Sequence, residues 1–251
     1  METNNRIWII GGSSGIGLEL VKILLNNNHY LIVSSRDTNN NEALQLLQEK
    51  FQNNLYLLDL DVSKDNFKNE IQEAWQVYRG LDIWFYNAGT YEVMDINNWN
   101  KEHFIKMNET NYLGVVKLMC EIIPYFKNQG FGKWIWNLSL STYFGLPKGG
   151  GYSAPKSALL NLAQSIHPEL DSIGVKLKVI NHGFVKTRLT SKNNFEMPQL
   201  MSASYAAKKI SEEIFDDKKF EISFPFKLKM FLKFLSILPY KISLFITRKM
   251  I

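Results

Sequence analysis

Seven consecutive residues, Gly11-Gly12-Ser13-Ser14-Gly15-Ile16-Gly17, constrain this chain more than any other stretch. They follow a short β-rich run at residues 6–10. They lead directly into apolar residues at helical spacing: Ile16, Leu20, Ile23 and Leu24. The local reading is strand, glycine turn, helix. Glycines spaced G-x-x-x-G-x-G allow a tight turn with positive φ. They also let a pyrophosphate approach the N–H groups that open the helix. The spacing differs from the ordinary G-x-G-x-x-G, so the position at the head of the first helix carries the nucleotide reading.

The rest of the chain repeats the alternation. Further strands are expected at 30–35, 55–61, 82–87, 133–139, 175–181 and 220–224. Helical spacing covers 42–51, 67–78, one or two segments within 99–126, a long run at 152–172, and 202–215. Strands alternating with helices imply parallel crossovers. The strands are apolar runs, as in sheets covered on both faces. The expected fold is α/β: a doubly wound parallel sheet of about seven strands with helices on both faces and an amphipathic helical tail. The 251 residues also fit a (β/α)₈ barrel, but the glycine turn after the first strand favours the open sheet. With no internal repeat or linker, one catalytic domain is expected over 1–225 and a basic helical extension over 226–251.

Composition excludes several classes. The single cysteine, Cys120, forbids an internal disulfide and fits a reducing, cytoplasmic setting. It lies in an apolar run and reads as a small core residue. No secretory signal opens the chain, and no apolar stretch reaches the roughly 18 residues of a spanning helix. Residues 218–251 carry eight Lys/Arg and one acid, a local charge of +7 in a chain of net +5. The basic balance therefore belongs to the tail. It lacks any nucleic-acid motif, and no metal site is expected.

Two further features point to chemistry. At the end of the second strand, Arg36 stands where an acid would bind a ribose 2′-hydroxyl, and a guanidinium there suits a 2′-phosphate. This favours NADP(H) over NAD(H), with Asp37 as the competing determinant. Tyr152-Ser153-Ala154-Pro155-Lys156 opens the long helix, with Tyr152 and Lys156 on one face. A fixed ammonium beside a phenol is expected to lower its pKa and make it a usable acid or base. The plain alternative is a surface pair.

With these residues in order, the chain resembles the short-chain dehydrogenase/reductase family over about residues 6–190. Gly11, Ser13, Ser14, Gly15, Ile16 and Gly17 are similar to its cofactor turn, with Ile10 in place of the usual leading threonine. Asp61-Val62 resembles the adenine contact. Asn87-Ala88-Gly89 resembles the segment that ends the fourth strand beside the cofactor. Asn111 resembles the asparagine of the proton relay. Ser139 stands 13 residues before Tyr152, the family spacing, and is preferred to Ser141. Residues 181–187, including Val185 and Thr187, resemble the segment beside the nicotinamide, with His182 replacing a proline.

The resemblance implies a Rossmann-like oxidoreductase that interconverts a carbonyl and a secondary alcohol. Tyr152 would be the general acid/base, Ser139 would hold the carbonyl oxygen, Lys156 would bond the ribose, and Asn111 would link Lys156 to water. It also implies a homodimer or homotetramer paired through the helices at 114–126 and 152–165. The alternative is a non-enzymatic NADP(H)-binding regulatory protein held to a membrane or partner by its tail.

Other expectations are local. Pro155 falls in a first helical turn, where proline is tolerated. Pro168 should kink or end the same helix. Residues 193–201 read as a mobile lid. Tyr91, Tyr143, Phe144 and Phe184 read as an apolar pocket. In the tail, Leu228, Phe231, Leu232, Leu235 and Leu238 form one stripe with Lys229, Lys233 and Ser236 opposite, and Pro239 ends it. This pattern fits a helix packed on the body or a subunit, and equally an interfacial helix on an anionic membrane.

Overall fold

The computed structural model describes residues 4–250. The last residue of the expected extension, Ile251, lies outside them, as do the first three residues of the catalytic domain.

Seven strands form one parallel sheet: β1 (Arg6–Ile10), β2 (Tyr30–Ser35), β3 (Leu55–Asp59), β4 (Ile83–Tyr86), β5 (Gly132–Asn137), β6 (Val175–His182) and β9 (Glu221–Phe224). Their order is β3-β2-β1-β4-β5-β6-β9. Two short strands, β7 (Val185–Lys186) and β8 (Met201–Ser202), pair apart from it. The order reverses between β1, which pairs with β2, and β4, so a crevice opens at the carboxyl ends of β1 and β4.

The helices that cover the sheet follow from the side-chain alternation. Trp8 and Ile10 face one side with Trp84, Tyr86, Trp134 and Trp136. There they meet α3 (Lys68–Val77), α5 (Gly114–Gln129) and α6 (Gly150–Ser172). Ile7 and Ile9 face the other side, against α1 (Gly15–Asn26), α2 (Glu42–Lys50) and α7 (Ala203–Glu213). Large aromatics suit the first face because their rings pack edge to face, as Trp84 and Trp134 do at 5.0 Å.

The 99–126 region is one near-continuous helical stretch. α4 (Lys101–Asn108) passes through a π-helical turn (Glu109–Leu113) into α5. The tail forms α8 (Phe226–Ile237) and α9 (Tyr240–Arg248), with Pro239 between them.

Three local expectations are corrected. Cys120 is exposed. Val115, Leu118 and Ile122 form the buried stripe of α5, and a residue two places from Leu118 is turned about 200° around the helix. Pro168 does not end α6, which runs on to Ser172. The carbonyl left without its donor belongs to Gln164, exposed like Pro168, so water can serve it. Pro155 is not in the first turn, because α6 begins two residues before Tyr152.

Candidate active site

A cleft of about 1620 Å³ opens at the switch point and continues towards the tail. One half is walled by Gly11, Ser13, Ser14, Gly15, Ile16, Arg36, Asp61, Val62, Asn87, Ala88 and Gly89. The other half holds Ser139, Tyr152, Lys156, His182, Val185 and Thr187. Of the residues expected to bind the cofactor or to act in catalysis, all but Gly17 and Asn111 line it.

The glycine turn fits its place by close approach. Gly11 has φ +88°, and a Cβ there would lie 2.6 Å from the Ala88 nitrogen. A Cβ on Gly17 would lie 2.2 Å from the Gly11 carbonyl, so Gly17 acts from behind the turn by letting α1 pack against it. The Ser14 side chain makes no cap bond, and the first turn of α1 holds no acid. Its leading N–H groups therefore remain available to an anion in the cleft.

At the end of β2, Arg36 is exposed on the cleft wall and forms no ion pair among the described residues. Asp37 is absent from that wall and accepts from the Asn40 nitrogen and Nδ2, both at 3.2 Å. Burial pushes the Asp61 carboxyl up. Bonds from Ser63 N and Oγ, at 3.0 and 2.7 Å, with Arg36 and Lys64 nearby, outweigh that and hold it below its usual range.

A ladder of hydrogen bonds crosses the strand ends. Asn87 Nδ2 donates to the Gly11 carbonyl at 2.7 Å, and Asn137 Nδ2 donates to Asn87 Oδ1 at 2.7 Å. Lys156 Nζ donates to the Asn137 carbonyl at 2.6 Å. Asn137 was visible in the sequence only as a strand end. Nothing in its spacing marked it as the link between glycine turn and lysine.

Lys156 is 3% exposed, and its Nζ sits 5.9 Å from the centre of the Tyr152 ring. The expected electrostatics are reversed. Burial pushes the Tyr152 phenol up to about 12, with a hydrogen bond to Ser139 pulling the other way. Burial brings Lys156 down to about 7. Each charged form loses more by leaving water than it gains from its neighbour. Near pH 8 the site therefore holds a protonated phenol and a neutral amine.

Ser139 Oγ also accepts from the Ser141 nitrogen at 3.2 Å, while Ser141 Oγ is buried without a partner. Asn111 is fully buried in the π-helical turn. Its Oδ1 accepts from Thr90 N at 2.8 Å, and its Nδ2 donates to Thr90 O at 2.9 Å. A Cβ on Gly89 would lie 3.3 Å from Asn111 Oδ1 and 3.9 Å from Lys156 Nζ, so the two residues flank that glycine. The His182 ring contacts the Gly183 carbonyl through Nδ1 at 2.7 Å, and burial pushes its pKa down to about 4.

The substrate half has features that local sequence did not reveal. Tyr91 stands edge-on to Tyr152 at 5.3 Å and donates to Asn193 Oδ1 at 2.9 Å. Lys192 bonds Glu92 at 2.6 Å and the Tyr91 carbonyl at 3.0 Å. Residues from the expected lid, among them Asn193, Phe195 and Gln199, thus line the cleft. Of the four aromatics expected in a pocket, Tyr91 and Phe184 line it, while Tyr143 and Phe144 pack beneath α8. Lys227, Leu228, Phe231 and Leu232 of α8 form a wall of the same cleft. The expected stripe divides: Leu228, Leu232 and Leu235 face inward, whereas Phe231 is partly exposed.

The short chain dehydrogenase family model matches residues 5–198. An uncharacterized oxidoreductase of Bacillus subtilis, YusZ, is 31% identical over 197 residues, covering 76% of this chain and 70% of its own. The crystal structure of a short-chain dehydrogenase from Streptomyces avermitilis superposes with a TM-score of 0.81 at 18% identity, covering 92% of each chain. A Burkholderia cenocepacia short chain dehydrogenase in complex with NADP gives a TM-score of 0.79 at 18% identity over 93% of each. The chain is an oxidoreductase that belongs to the short chain dehydrogenase family.

Proposed function

We propose that this protein is an NADP(H)-dependent oxidoreductase that reduces a carbonyl to a secondary alcohol. The observation that carries this reading is that Ser139, Tyr152 and Lys156 line one cleft whose far end presents Arg36, which forms no ion pair among the described residues. The residues fit a dinucleotide: Gly11–Gly17 and the uncapped start of α1 would hold the pyrophosphate, and Arg36 the 2′-phosphate. Asp61 and Val62 would border the adenine, Asn87, Ala88 and Gly89 the central wall, and Val185 and Thr187 the nicotinamide half. The relative in complex with NADP supports the same choice. When bound, the cofactor supplies the hydride.

The chain's own residues do the rest. Ser139 orients the carbonyl oxygen and stabilises the charge that grows there. Tyr152 carries its proton at neutral pH and donates it to that oxygen. Lys156, buried beside the ring, would bond the cofactor ribose. Asn111 bonds Thr90 through both ends of its amide and would link Lys156 to water.

In this reading residues 1–225 bear the cofactor and catalytic groups, and 226–251 complete the substrate half. A homodimer or homotetramer paired through α5 and α6, in a cytoplasmic setting, belongs to it. The test is Tyr152→Phe. NADPH binding should persist while turnover falls by about 10³-fold or more. A variant with normal rates would remove the reading.

A further inference from the structure

The helix α9 turns much of its apolar surface outward. Its body-facing side chains are Ser243, fully buried, Thr247, 6% exposed, and Ile246, packed against the α8 leucines, whereas Leu244 and Phe245 are 57% and 59% exposed. α8 continues this surface. Its leucines pack inward, while Phe234 and Ile237 are 51% and 79% exposed. A folded helix ordinarily buries its apolar face and solvates its polar one. Here both helices offer apolar side chains to the outside. The same segment carries six Lys/Arg after Pro225 and no acid.

We propose that the outer face of α8 and α9 docks on an anionic bilayer, and that the cleft takes a lipophilic carbonyl compound directly from it. The second half rests on the oxidoreductase reading above; the first does not. Charge chooses the occupant. A second copy in a two-fold contact would set like charges face to face. Anionic headgroups complement them while the apolar side chains enter the acyl boundary. The helices lie on the surface and do not cross: at 12 and 9 residues they span about 18 and 14 Å, against the roughly 30 Å of a hydrocarbon core. Among the described residues no helix is long and apolar enough to span.

Position ties docking to substrate. Leu228 and Phe231 on α8 and Met250 after α9 line the cleft. α8 also packs onto the active-site backbone: a Cβ on Gly183 would meet Leu228 at 3.1 Å and Leu140 at 3.6 Å. The docking face and the apolar end of the cleft are therefore two sides of the same helix. A solute dissolved in the bilayer reaches Tyr152 past α8 without returning to water.

The experiment uses the full chain with NADPH. Flotation is measured on vesicles of equal parts phosphatidylglycerol and phosphatidylcholine, and on phosphatidylcholine alone. NADPH oxidation is followed with 2-decanone in the anionic vesicles and with water-soluble ketones. The variant is Phe234→Glu/Ile237→Glu/Phe245→Glu, none of which lines the cleft. Wild type should float only with anionic vesicles. The variant should lose flotation by about tenfold or more. It should lose 2-decanone turnover by a similar factor while keeping NADPH binding and turnover of soluble ketones. A charge-reversed variant, Lys241→Glu/Arg248→Glu/Lys249→Glu, should also fail to float.

Flotation that survives both variants, or is equal on neutral vesicles, overturns the docking. A wild-type oligomer that the variant breaks, with no flotation by either, assigns the face to a second copy instead. Equal 2-decanone turnover by wild type and a non-floating variant overturns delivery from the bilayer. Normal flotation with no NADPH oxidation on any carbonyl supports the docking and removes the oxidoreductase reading.

Discussion

Lys156 Nζ donates a 2.6 Å hydrogen bond to the main-chain carbonyl of Asn137, the last residue of β5. Through the Asn137 and Asn87 side chains, that bond connects α6 to the Gly11 carbonyl on the far side of the switch point. The arrangement holds the two halves of the cleft in register. Replacing Asn87 with Leu keeps the volume and removes the middle rung. The Asn137 amide then loses its acceptor and the Gly11 carbonyl its donor, at a cost of about 2 kcal/mol. Urea unfolding should show that loss, and NADPH affinity should fall with it as the turn relaxes. An Asn87→Leu protein of unchanged stability and affinity would show that the ladder holds nothing.

Lys156 makes stability depend on pH in a definite direction. Its ordinary value is 10.5 and burial brings it to about 7. Between those values the unfolded chain binds the proton and the folded chain does not, so folding becomes more favourable as pH rises from 7 to 10.5. Below pH 7 both states are protonated, and the cost of burying the ammonium is present in full. Lys156→Met should remove this slope. Denaturation of the two proteins at several pH values should therefore show wild type gaining on the variant across that window. Parallel curves would mean that Lys156 stays charged when folded.

The cofactor choice reduces to two adjacent residues with different environments. Arg36 is on the cleft wall without an ion pair among the described residues, whereas Asp37 is turned to Asn40. Tryptophan fluorescence quenching should give Arg36→Ser about tenfold weaker NADPH binding, on the order of 1.4 kcal/mol, with NADH affinity held. Asp37→Asn should change neither. A loss of discrimination in Asp37→Asn alone would transfer the determinant to that residue.

Much of this architecture was legible because it is local. The glycine turn, the alternation of apolar strands with helices, and the Tyr152/Lys156 spacing each fall within one or two turns of chain. What escaped is long-range. Helical spacing showed that Leu228, Leu232 and Leu235 share a face, but not that this face would border the cleft. The sequence placed Lys156 beside Tyr152 without showing that Lys156 is buried and Tyr152 half-buried on the cleft wall, and the loss of water around the phenol reverses the expected direction of its pKa shift. Cys120 escaped for a simpler reason: in an apolar run only the phase of the helix separates core from surface.

Glu221 on β9 fastens α8 to the active-site segment. Its carboxylate accepts from the Tyr143 hydroxyl and from Asn181 Nδ2 at 2.5 Å, and Lys233 approaches it at 3.7 Å. The same Lys233 lies 4.8 Å over the Tyr143 ring. Burial, and then Glu221, push the Tyr143 phenol up, so it remains a donor throughout the neutral range. Glu221→Leu strands a phenol and a fully buried amide, while the exposed Lys233 ammonium returns to water, and should cost about 2 kcal/mol. Glu221→Gln retains an acceptor oxygen and should recover part of that loss. Because the brace lies on the substrate side, NADPH affinity should hold in both. Trypsin should instead cut faster at Lys227, Lys229 and Lys233 in Glu221→Leu, as α8 loosens. Unchanged cleavage there, with stability lost, would confine Glu221 to the strand and leave α8 held by its leucines alone.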